Sequence, residues 1–471
     1  MTRRTKIVAT IGPASGDNET LVRMIEAGMD VARLNFSHGT PEEHAATCAR
    51  IRTAADRADR PVAVLQDLPG PKLRIGPLRE GLAELSVGDR VTFVGDDGGD
   101  TEGDAHRMAI NWPELASAIG PNEELYLADG AVRLRVEAVR PEQREVDALV
   151  RVGGTVASRQ GLNIPGEVDE FPAVFEDDLA LLQAGEKMGV DLVALSFVQR
   201  AEDVKQFRAH TRIPLIAKIE KPQAVQRLEA IVEASDCVMV ARGDLGIELE
   251  IEDVPLAQKR IIALAGRRAR PVITATQMLD SMITSSRPTR AEVTDVFNAI
   301  LDGTDAVMLS QETAVGQHPV GAVKMMSAIA ERAESVAPYE EWNEKRVERD
   351  ARDPAYTIAH NACEAVRQLN LAALVVPTLS GRSARLVSAH RPKVPIYALS
   401  PGKETVRRCS LMWGVRASRM RRHEVTEELI HDAVRRVVEL GWVKRGERIG
   451  ITAGLPSGRP GTTSMFQVQE A

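Results

Sequence analysis

Ala217-Lys218-Ile219-Glu220 and, downstream, Ala241-Arg242-Gly243-Asp244 are two charged segments that each end a short apolar run. The two runs, 213–216 and 237–240, are predicted to be buried strands. Charged side chains at the end of a buried strand are costly to desolvate unless they pair or hold a metal. Together, the charged residues at the two strand ends are of the kinds that bind a divalent cation and an anionic substrate and place a positive charge over that substrate.

Outward from these segments, β-branched apolar runs alternate with segments of helical spacing. Eight runs are predicted as strands: 6–12, 31–38, 61–67, 192–197, 215–220, 238–244, 272–277 and 306–312. Helices are predicted at 18–27, 41–57, 177–185, 222–234, 256–268, 290–301 and 320–334, with none between the fourth and fifth strands. This α/β alternation predicts a parallel sheet, and eight is the strand number of a TIM (β/α)8 barrel.

The alternation is interrupted between the third and fourth strands. From about residue 76 to residue 163 the apolar pattern has a period of two, as where Val132, Leu134 and Val136 alternate with charged residues. The interruption predicts a small all-β domain inserted after the third strand, with Pro165-Gly166 as the return hinge.

The last part of the chain predicts a separate α/β domain after a charged linker at 339–353. Its helices are predicted at 356–368, 383–389 and 427–440, and its strands at 373–377, 395–399 and 448–453. Between the first of these strands and the next helix lie hydroxyls, a glycine and an arginine that could cradle a phosphate: Thr378, Ser380, Gly381, Arg382 and Ser383. The alternative is an ordinary helix N-cap with solvated hydroxyls.

The bulk composition narrows the functional class. The chain has 471 residues, 44% hydrophobic and 27% charged, and a net charge of −7. A length of this order predicts roughly three domains, and the acidic balance gives no reason to expect nucleic acid or a membrane as partner. The four scattered cysteines form no Cys-x-x-Cys pair, and no signal peptide or bilayer-spanning run is found. We therefore expect a cytoplasmic protein with reduced thiols.

In a TIM barrel the carboxyl ends of all eight strands converge on one face, where active sites lie. The polar residues at these ends are Thr10, Arg33, Asn35, Ser37, Asp67, Ser196, Lys218, Glu220, Arg242, Asp244, Thr276, Gln277, Ser310 and Glu312. Any one of them alone is more often a local ion pair, and a lattice of Glu–Lys and Arg–Asp pairs is the structural alternative. Polar residues at every strand end favour one shared active site.

Individual residues in this set predict specific chemistry. Glu220 and Asp244 are hard oxygen ligands from adjacent strands, which suit Mg²⁺ or Mn²⁺. Gly243 lets backbone N–H groups approach an anion, and Arg33 and Arg74 are candidates for phosphate. No P-loop and no Gly-x-Gly-x-x-Gly turn is present, so a nucleotide would be held by another device.

Six segments closely resemble pyruvate kinases, in order along nearly the whole chain. They include Arg242-Gly243-Asp244-Leu245-Gly246 and Arg287-Pro288-Thr289-Arg290-Ala291-Glu292, and the full set is 5–15, 32–39, 218–220, 239–246, 275–279 and 287–292. The resemblance implies a (β/α)8 barrel domain at 1–68 and 165–337 and a mobile β-barrel lid at 69–164. It further implies a C-terminal α/β effector domain at 338–471 and a homotetramer.

The resemblance also implies the reaction, transfer of the phosphoryl group of phosphoenolpyruvate to ADP, and a role for each matching residue. Lys218 would lie over the transferring group, Thr276 near the carbon that is protonated, and Arg33 and Arg74 at the phosphate. Glu220 and Asp244 would hold Mg²⁺ or Mn²⁺, and the backbone of Gly243 and Asp244 the substrate carboxylate. Ser310 is a further substrate residue, and Asn35, His38, Arg74 and Asp129 are the candidates for contacting the nucleotide, although a structural role fits His38 equally well.

The sequence departs from the family pattern at its monovalent-cation site, formed around Asn35, Ser37 and Asp67. Leu68 stands where the family has a threonine, and Lys72 where it has a glutamate. A lysine ammonium can supply the positive charge of K⁺, so we expect Lys72 to replace the ion and K⁺ not to be required. The sequence resembles the potassium-independent branch of the family.

Other departures lie in the barrel, the lid and the effector site. Gln311 replaces a usual glycine beside Ser310 and Glu312, and Gln160 replaces a common lid lysine. Leu379 replaces a common lysine, and the last loop carries Arg459 but no tryptophan, which favours AMP or a sugar monophosphate over a bisphosphate effector. The alternatives are another barrel enzyme acting through a metal-bound enolate, such as an aldolase or a phosphoenolpyruvate mutase-like enzyme, and a sensor of phosphorylated metabolites without catalysis.

Overall fold

The structure, a computed structural model, describes residues 3–70, 73–97, 99–164, 176–345, 353–454 and 463–471. The chain begins with β1 (Lys6–Thr10), α1 (Asn18–Ala27), β2 (Val31–Asn35), α2 (Pro41–Arg57) and β3 (Ala63–Asp67). Both helices have the bounds predicted from the sequence. Each begins at a side-chain cap, Asp17 accepting from Thr20 N and Thr40 forming a capping box with Glu43.

Among its described residues, the segment inserted after β3 is mostly β, with one short α-helix and two 3-10 turns. Its elements are β4 (Leu82–Leu85), β5 (Arg90–Gly95), β6 (Arg107–Ile110), α3 (Leu115–Ala118), β7 (Glu124–Leu127), β8 (Val132–Arg140), β9 (Glu145–Val152), β10 (Gly154–Ala157) and β11 (Leu162–Asn163). They form a six-stranded sheet, β11-β7-β8-β9-β5-β6, and a two-stranded sheet, β10-β4. Buried and exposed residues alternate along the first part of β8, and one apolar core that includes Phe93 and Trp112 joins the two sheets. The predicted hinge at Pro165-Gly166 lies outside the described residues.

Strand–helix alternation then resumes and closes the barrel. The elements are α4 (Glu176–Met188), β12 (Leu192–Leu195), α5 (Ala201–His210), β13 (Leu215–Ile219), α6 (Pro222–Gln226), α7 (Leu228–Ala234), β14 (Cys237–Ala241), α8 (Arg242–Glu248), α9 (Val254–Arg267), β15 (Val272–Ala275), α10 (Arg290–Leu301), β16 (Ala306–Leu309), α11 (Gln311–Ala314) and α12 (Pro319–Glu334). Eight parallel strands form a closed barrel in the order β1-β16-β15-β14-β13-β12-β3-β2. The predicted TIM barrel is confirmed.

Several predicted element bounds in the barrel are wrong. Helix α5 was not predicted, because its buried apolar face consists only of Ala201, Val204 and Phe207. The predicted helix 222–234 divides at Arg227, where the backbone leaves the helical region. Strands β14 and β16 end earlier than predicted, because Arg242 and Gln311 begin helices α8 and α11. Two groups of strand-end residues therefore lie in first helical turns, whose N–H groups lack partners within the helix.

The C-terminal unit is an α/β domain, as predicted. Its elements are α13 (Tyr339–Lys345), α14 (Pro354–Leu369), β17 (Ala373–Pro377), α15 (Arg382–Ala389), β18 (Ile396–Ser400), α16 (Lys403–Arg408), β19 (Val415–Arg419), α17 (Thr426–Glu439), β20 (Arg448–Gly454) and β21 (Thr463–Glu470). They form a sheet of order β19-β18-β17-β20-β21, in which only β21 runs antiparallel. Strands β19 and β21 were not predicted, and α13 occupies part of the predicted linker.

This domain closes the amino-terminal end of the barrel. Leu411, just after α16, is 3% exposed and belongs to the apolar cluster inside the barrel, with Leu65 and Ile216. Beside it, Ser410 Oγ donates to Pro61 O at 3.0 Å, and Lys6 Nζ donates to Val415 O at 2.7 Å. The polar strand ends lie at the opposite end of the barrel, so Leu411 plugs the end away from them. Within the described ranges, none of the helices combines the length and apolarity needed to span a bilayer.

Candidate active site

Lys218 is the centre of an ion cluster at the carboxyl ends of the barrel strands. Its Nζ lies 2.9 Å from Glu220 Oε1 and 3.3 Å from Asp67 Oδ1, and it donates to Ser196 Oγ at 2.7 Å. The lysine side chain is 12% exposed, and the two carboxylates are almost fully buried. Strands β3, β12 and β13 are neighbours in the barrel, which brings these distant parts of the sequence together.

Burial and charge compete within this cluster. Burial opposes the charged form of Lys218, but the carboxylates of Asp67, Glu220 and Asp244 outweigh it and raise the lysine pKa above its ordinary value. Burial also raises the pKa of Glu220, helped by the charge of Asp244 and opposed by Lys218. For Asp67, burial is outweighed by Lys218 and Arg33, so its pKa is lowered. The lysine is therefore a fixed cation at neutral pH.

Arg33 extends the cluster toward β1. Its Nε donates to Asp67 Oδ2 at 2.6 Å, and its Nη1 donates to Thr10 Oγ1 at 2.9 Å. The guanidinium is 12% exposed, so two cations, Arg33 and Lys218, flank the one carboxylate of Asp67. Guanidinium and ammonium groups are the side chains that bind phosphate, so Arg33 and Lys218 are the candidates for binding such an anion in this cluster.

Ser196 and Phe197, after β12, hold the two charged residues at the end of β13. Its Oγ accepts from Lys218 and donates to Leu68 O at 2.7 Å, and the next residue, Phe197, donates its N–H to Glu220 Oε2 at 2.6 Å. Phe197 has a φ of 57°, in the left-handed region that non-glycine residues rarely adopt. Strained backbone of this kind is concentrated at functional sites, where the surroundings hold it.

The end of β15 carries a second strained segment next to α8. Thr276 and Gln277 have φ values of 70° and 52°, and such conformations cost about 1–3 kcal/mol each. Gly243 N donates to Thr276 Oγ1 at 2.7 Å, and Arg242 Nη2 donates to Thr276 O at 2.8 Å. The structure thereby places Thr276, Gly243 and Asp244 at one junction between strands β14 and β15.

Ser310 lies at the end of β16, where a buried carboxylate holds the backbone. Glu312 accepts from Ser310 N at 2.6 Å and from Leu279 N at 3.1 Å, and burial raises its pKa. Gln311 begins α11 with an exposed side chain, so this departure leaves the packing of Ser310 and Glu312 intact. In the insertion, Gln160 accepts from Ala157 N at 2.8 Å within a turn.

The residues predicted for the nucleotide and the monovalent cation are more dispersed. Asn35 Oδ1 accepts from Ser37 N at 3.2 Å, and the exposed His38 offers its carbonyl to His44 Nε2 at 2.8 Å. Leu68 is 1% exposed within the barrel core. Arg74 lies in the inserted domain, where its backbone forms an isolated antiparallel β-bridge with Gly161. Lys72 and the side chain of Asp129 lie outside the described residues.

The turn that carries Asp129 nevertheless reaches the barrel. A Cβ placed on Gly130 would lie 3.9 Å from Ile247 Cγ2, in helix α8. The inserted domain therefore lies over the helix that begins with Arg242, Gly243 and Asp244.

In the C-terminal domain the predicted phosphate residues form one loop. Thr378 Oγ1 accepts from Gly381 N at 3.0 Å, and Ser380 Oγ accepts from Arg382 N at 3.5 Å. Gly381 has a φ of 85° at the start of α15, where a side chain would be strained. Arg382 pairs with Asp353, and Ser383 Oγ bonds to Thr463 Oγ1. Arg459 lies outside the described residues.

A divalent cation fits the donor set at Glu220 and Asp244. Among the residues that the structure describes, no group of three or more His, Cys, Asp and Glu side chains is arranged as a complete metal site. Mg²⁺ characteristically takes one or two protein carboxylates and completes its shell with water and substrate oxygens. The mutual repulsion of Asp244 and Glu220, which contributes to the raised pKa of Glu220, is the electrostatic condition that a divalent cation relieves.

Comparison with known proteins identifies the combination of this barrel and this C-terminal domain. The profile described as "Pyruvate kinase, barrel domain" matches residues 2–323, and "Pyruvate kinase, alpha/beta domain" matches residues 356–469. The chain belongs to the pyruvate kinase family. It is therefore a kinase, and the alternatives of an aldolase-like enzyme and a non-catalytic sensor find no support in these matches.

Individual pyruvate kinases match over nearly the whole chain. One from Geobacillus stearothermophilus is 42% identical over 474 residues, covering 99% of this chain and 80% of the relative. One from Staphylococcus aureus is 40% identical over 471 residues with the same coverage. A crystal structure of a pyruvate kinase from Cryptosporidium parvum superimposes with a TM-score of 0.91 at 32% identity, covering 99% of this chain and 96% of that one.

Two residues gain importance that sequence reasoning did not give them. Ser196 was recognised as a strand end, but its bridge between Lys218 and Leu68 depends on the pairing of β12 with β3 and β13. Asp295, on α10, pairs with Arg242 at 2.7 Å. Asp295 carried no sequence signal, because it lies mid-helix among other polar residues and its partner is distant in the chain. The pyruvate kinase resemblance likewise gave no role to either residue.

Proposed function

We propose that the chain transfers the phosphoryl group of phosphoenolpyruvate to ADP, giving pyruvate and ATP. The observation that carries this proposal is the Lys218 cluster, in which two largely shielded cations, Lys218 and Arg33, meet Asp67 and Glu220 at the active end of a pyruvate kinase barrel. Phosphoryl transfer needs positioning and charge neutralisation more than covalent chemistry, and Lys218 and Arg33 are two fixed cations that can neutralise phosphate charge.

Each residue then has a distinct task. Lys218 neutralises charge on the transferring phosphoryl group and on the enolate that leaves, and Arg33 holds the phosphate. The N–H groups of Gly243 and Asp244 bind the substrate carboxylate, Ser310 lines the substrate, and Thr276 lies near the carbon that gains a proton. Glu220 and Asp244 would hold Mg²⁺ or Mn²⁺, which supplies Lewis-acid neutralisation of the phosphate oxygens when bound.

The inserted domain would act as a lid over the nucleotide. We assign residues 69–164 to it, residues 1–68 and 165–337 to the barrel domain, and residues 338–471 to the effector domain. Asn35, His38, Arg74 and Asp129 are the proposed nucleotide contacts. The approach of Gly130 to α8 supports this arrangement, because a lid at that position would shield the transfer from water.

The first test is pyruvate formation by the purified full chain from phosphoenolpyruvate. We expect pyruvate only when ADP and Mg²⁺ are both present, and we expect Glu220→Gln to weaken the apparent affinity for Mg²⁺. Its matched control is Glu229→Gln, on an exposed face of α7. Pyruvate formation without ADP, or none under any condition including added phosphorylated metabolites, would contradict the proposed reaction.

We also propose that K⁺ is not required, because Lys72 supplies its charge. Leu68 supports this: its buried side chain offers no oxygen where the family pattern has a threonine hydroxyl. Wild-type activity should be the same with and without K⁺, whereas Lys72→Glu should lose about tenfold or more in K⁺-free buffer and recover when K⁺ is added. Activity of Lys72→Glu that is insensitive to K⁺ would rule out this role of Lys72.

The loop formed by Thr378, Ser380, Gly381, Arg382 and Ser383 is the proposed site for a phosphorylated effector. Backbone N–H groups at the start of α15 and three hydroxyls favour a phosphate there. AMP or a sugar monophosphate added to the pyruvate assay should change the half-saturating phosphoenolpyruvate concentration, and no response to either would remove this assignment. A homotetramer, which only the family resemblance suggests, and a cytoplasmic location complete the proposal.

A further inference from the structure

Arg242 lies among backbone carbonyls of β15. Its Nη2 donates to Thr276 O at 2.8 Å, and its Nε donates to Ala275 O at 3.3 Å. Its Nη1 lies 2.7 Å from Asp295 Oδ1, on α10. The side chain is 13% exposed. Through these contacts one guanidinium joins the ends of β14 and β15 to α10, a helix of the outer ring.

The donors of this guanidinium are fully occupied. An arginine has five N–H groups in a planar fork. Besides the two carbonyls and Asp295, Nη1 faces Gln258 Oε1 at 3.5 Å and Nη2 faces Met278 Sδ at 2.7 Å. Arg242 therefore has no donor left for a substrate phosphate.

The contacts of Arg242 fix the conformation of Thr276. Ala275 O belongs to the peptide group before the Thr276 Cα, and Thr276 O belongs to the peptide group after it. Holding both peptide planes fixes φ and ψ, and hence the direction of the Cα–Cβ bond that carries the hydroxyl. A β-branched residue at a φ of 70° needs such support, since left-handed strain persists only where the surroundings over-determine it.

We propose that Arg242 is a positioning residue for Thr276 and that Asp295 orients the guanidinium of Arg242. This inference rests on the proposed function, in which Thr276 lies near the carbon that is protonated. In that step C3 of the enolate of pyruvate gains a proton that derives from water, the electrons of its C–C double bond form the new C–H bond, and the enolate oxygen becomes the ketone oxygen of pyruvate. Arg242 holds the Thr276 hydroxyl at that carbon without itself contacting the substrate.

The hydrogen bond from Gly243 to Thr276 is expected to change when substrate binds. Gly243 N donates to Thr276 Oγ1 at 2.7 Å, and the same N–H group is proposed to bind the substrate carboxylate. Substrate binding would move this donor from the threonine to the carboxylate. Thr276 would then be held by the hydrogen bond from its own hydroxyl to Ala275 O, at 2.6 Å, and by the contacts of Arg242 with the backbone on either side.

The test compares Arg242→Lys with a matched control, Arg208→Lys. Lysine keeps the charge at residue 242 but cannot reach two carbonyls and Asp295 at once. Arg208 also joins a carboxylate, Asp236, to a carbonyl, Ile213 O, but before β13, at the other end of the barrel. The measurements are kcat, the KM for phosphoenolpyruvate, and the proton step alone, followed as exchange of the pyruvate methyl hydrogens in deuterated water with ATP and Mg²⁺.

We expect Arg242→Lys to lower kcat and the exchange rate by about 10²-fold, the scale of a misplaced reacting group, with KM changed by less than about twofold. Asp295→Asn should also lower kcat and the exchange rate with little change in KM, but by a smaller factor. This variant provides the test if Arg242→Lys fails to fold. Arg208→Lys should leave all three quantities unchanged. Wild-type exchange rates in Arg242→Lys and Asp295→Asn, or equal losses in Arg208→Lys, would overturn the inference. A wild-type protein that forms no pyruvate would instead overturn the proposed function.

Discussion

Lys218→Met is expected to lower kcat by about 10²–10³-fold, a loss of about 2.7–4 kcal/mol of transition-state stabilisation. Methionine has a similar length and no charge, so the change removes the cation and keeps much of the packing. Lys218 Nζ lies within 3.3 Å of Asp67, Glu220 and Ser196, and the lysine remains charged because three carboxylates raise its pKa. No other described cation takes its place between β3 and β13. Steady-state assays with phosphoenolpyruvate and ADP measure the loss.

The control for this prediction is Lys259→Met. Lys259 is 60% exposed and pairs with Asp302 on the outside of the barrel, so its replacement removes an equal charge away from the site. Thermal unfolding of both variants separates catalytic loss from instability, because removing Lys218 leaves buried carboxylates with fewer partners. A folded Lys218→Met protein that retains more than about a tenth of the wild-type kcat would exclude Lys218 from charge neutralisation.

Leu411→Ala is expected to destabilise the protein by about 2–5 kcal/mol. Leu411 is 3% exposed in the cluster inside the barrel, where it packs with residues that include Leu65, Ile216 and Met239. Truncation would leave a cavity at the end of the barrel, and the flanking contacts of Ser410 and Lys6 limit how far the C-terminal domain could move to fill it. Differential scanning calorimetry would show the barrel and the C-terminal domain unfolding at lower temperature.

Leu369→Ala is the matched control, since it truncates the same residue type in the same domain. Leu369 is 40% exposed at the end of α14, so its replacement removes little buried area. A Leu411→Ala protein as stable as Leu369→Ala would mean that the barrel end collapses around the smaller side chain. A lowered transition confined to the C-terminal domain would mean that Leu411 contributes nothing to the barrel.

Elements with local signals could be predicted from the sequence closely. Helices α1 and α2 begin at Asp17 and Thr40, whose side chains cap them, and their bounds follow from those caps. Helix α5 and strand β19 have weak signals: α5 follows Arg200 and buries few apolar residues, and β19 alternates only Val415 and Ala417 with polar ones. Their structure depends on the barrel and the sheet that they pack against, which a local pattern does not contain.

The candidate site also has features that the local sequence predicts and features that depend on contacts between distant residues. The sequence by itself determined which residues stand at the strand ends, and from them the barrel and the family, because charges that follow buried runs carry a strong local signal. Only the tertiary structure decided their partners: Lys218 with Asp67, Arg242 with Thr276 and Asp295, and Leu411 with the barrel interior. These contacts join residues that are distant in the chain, so they exist only once the barrel has closed and the C-terminal domain has docked on it.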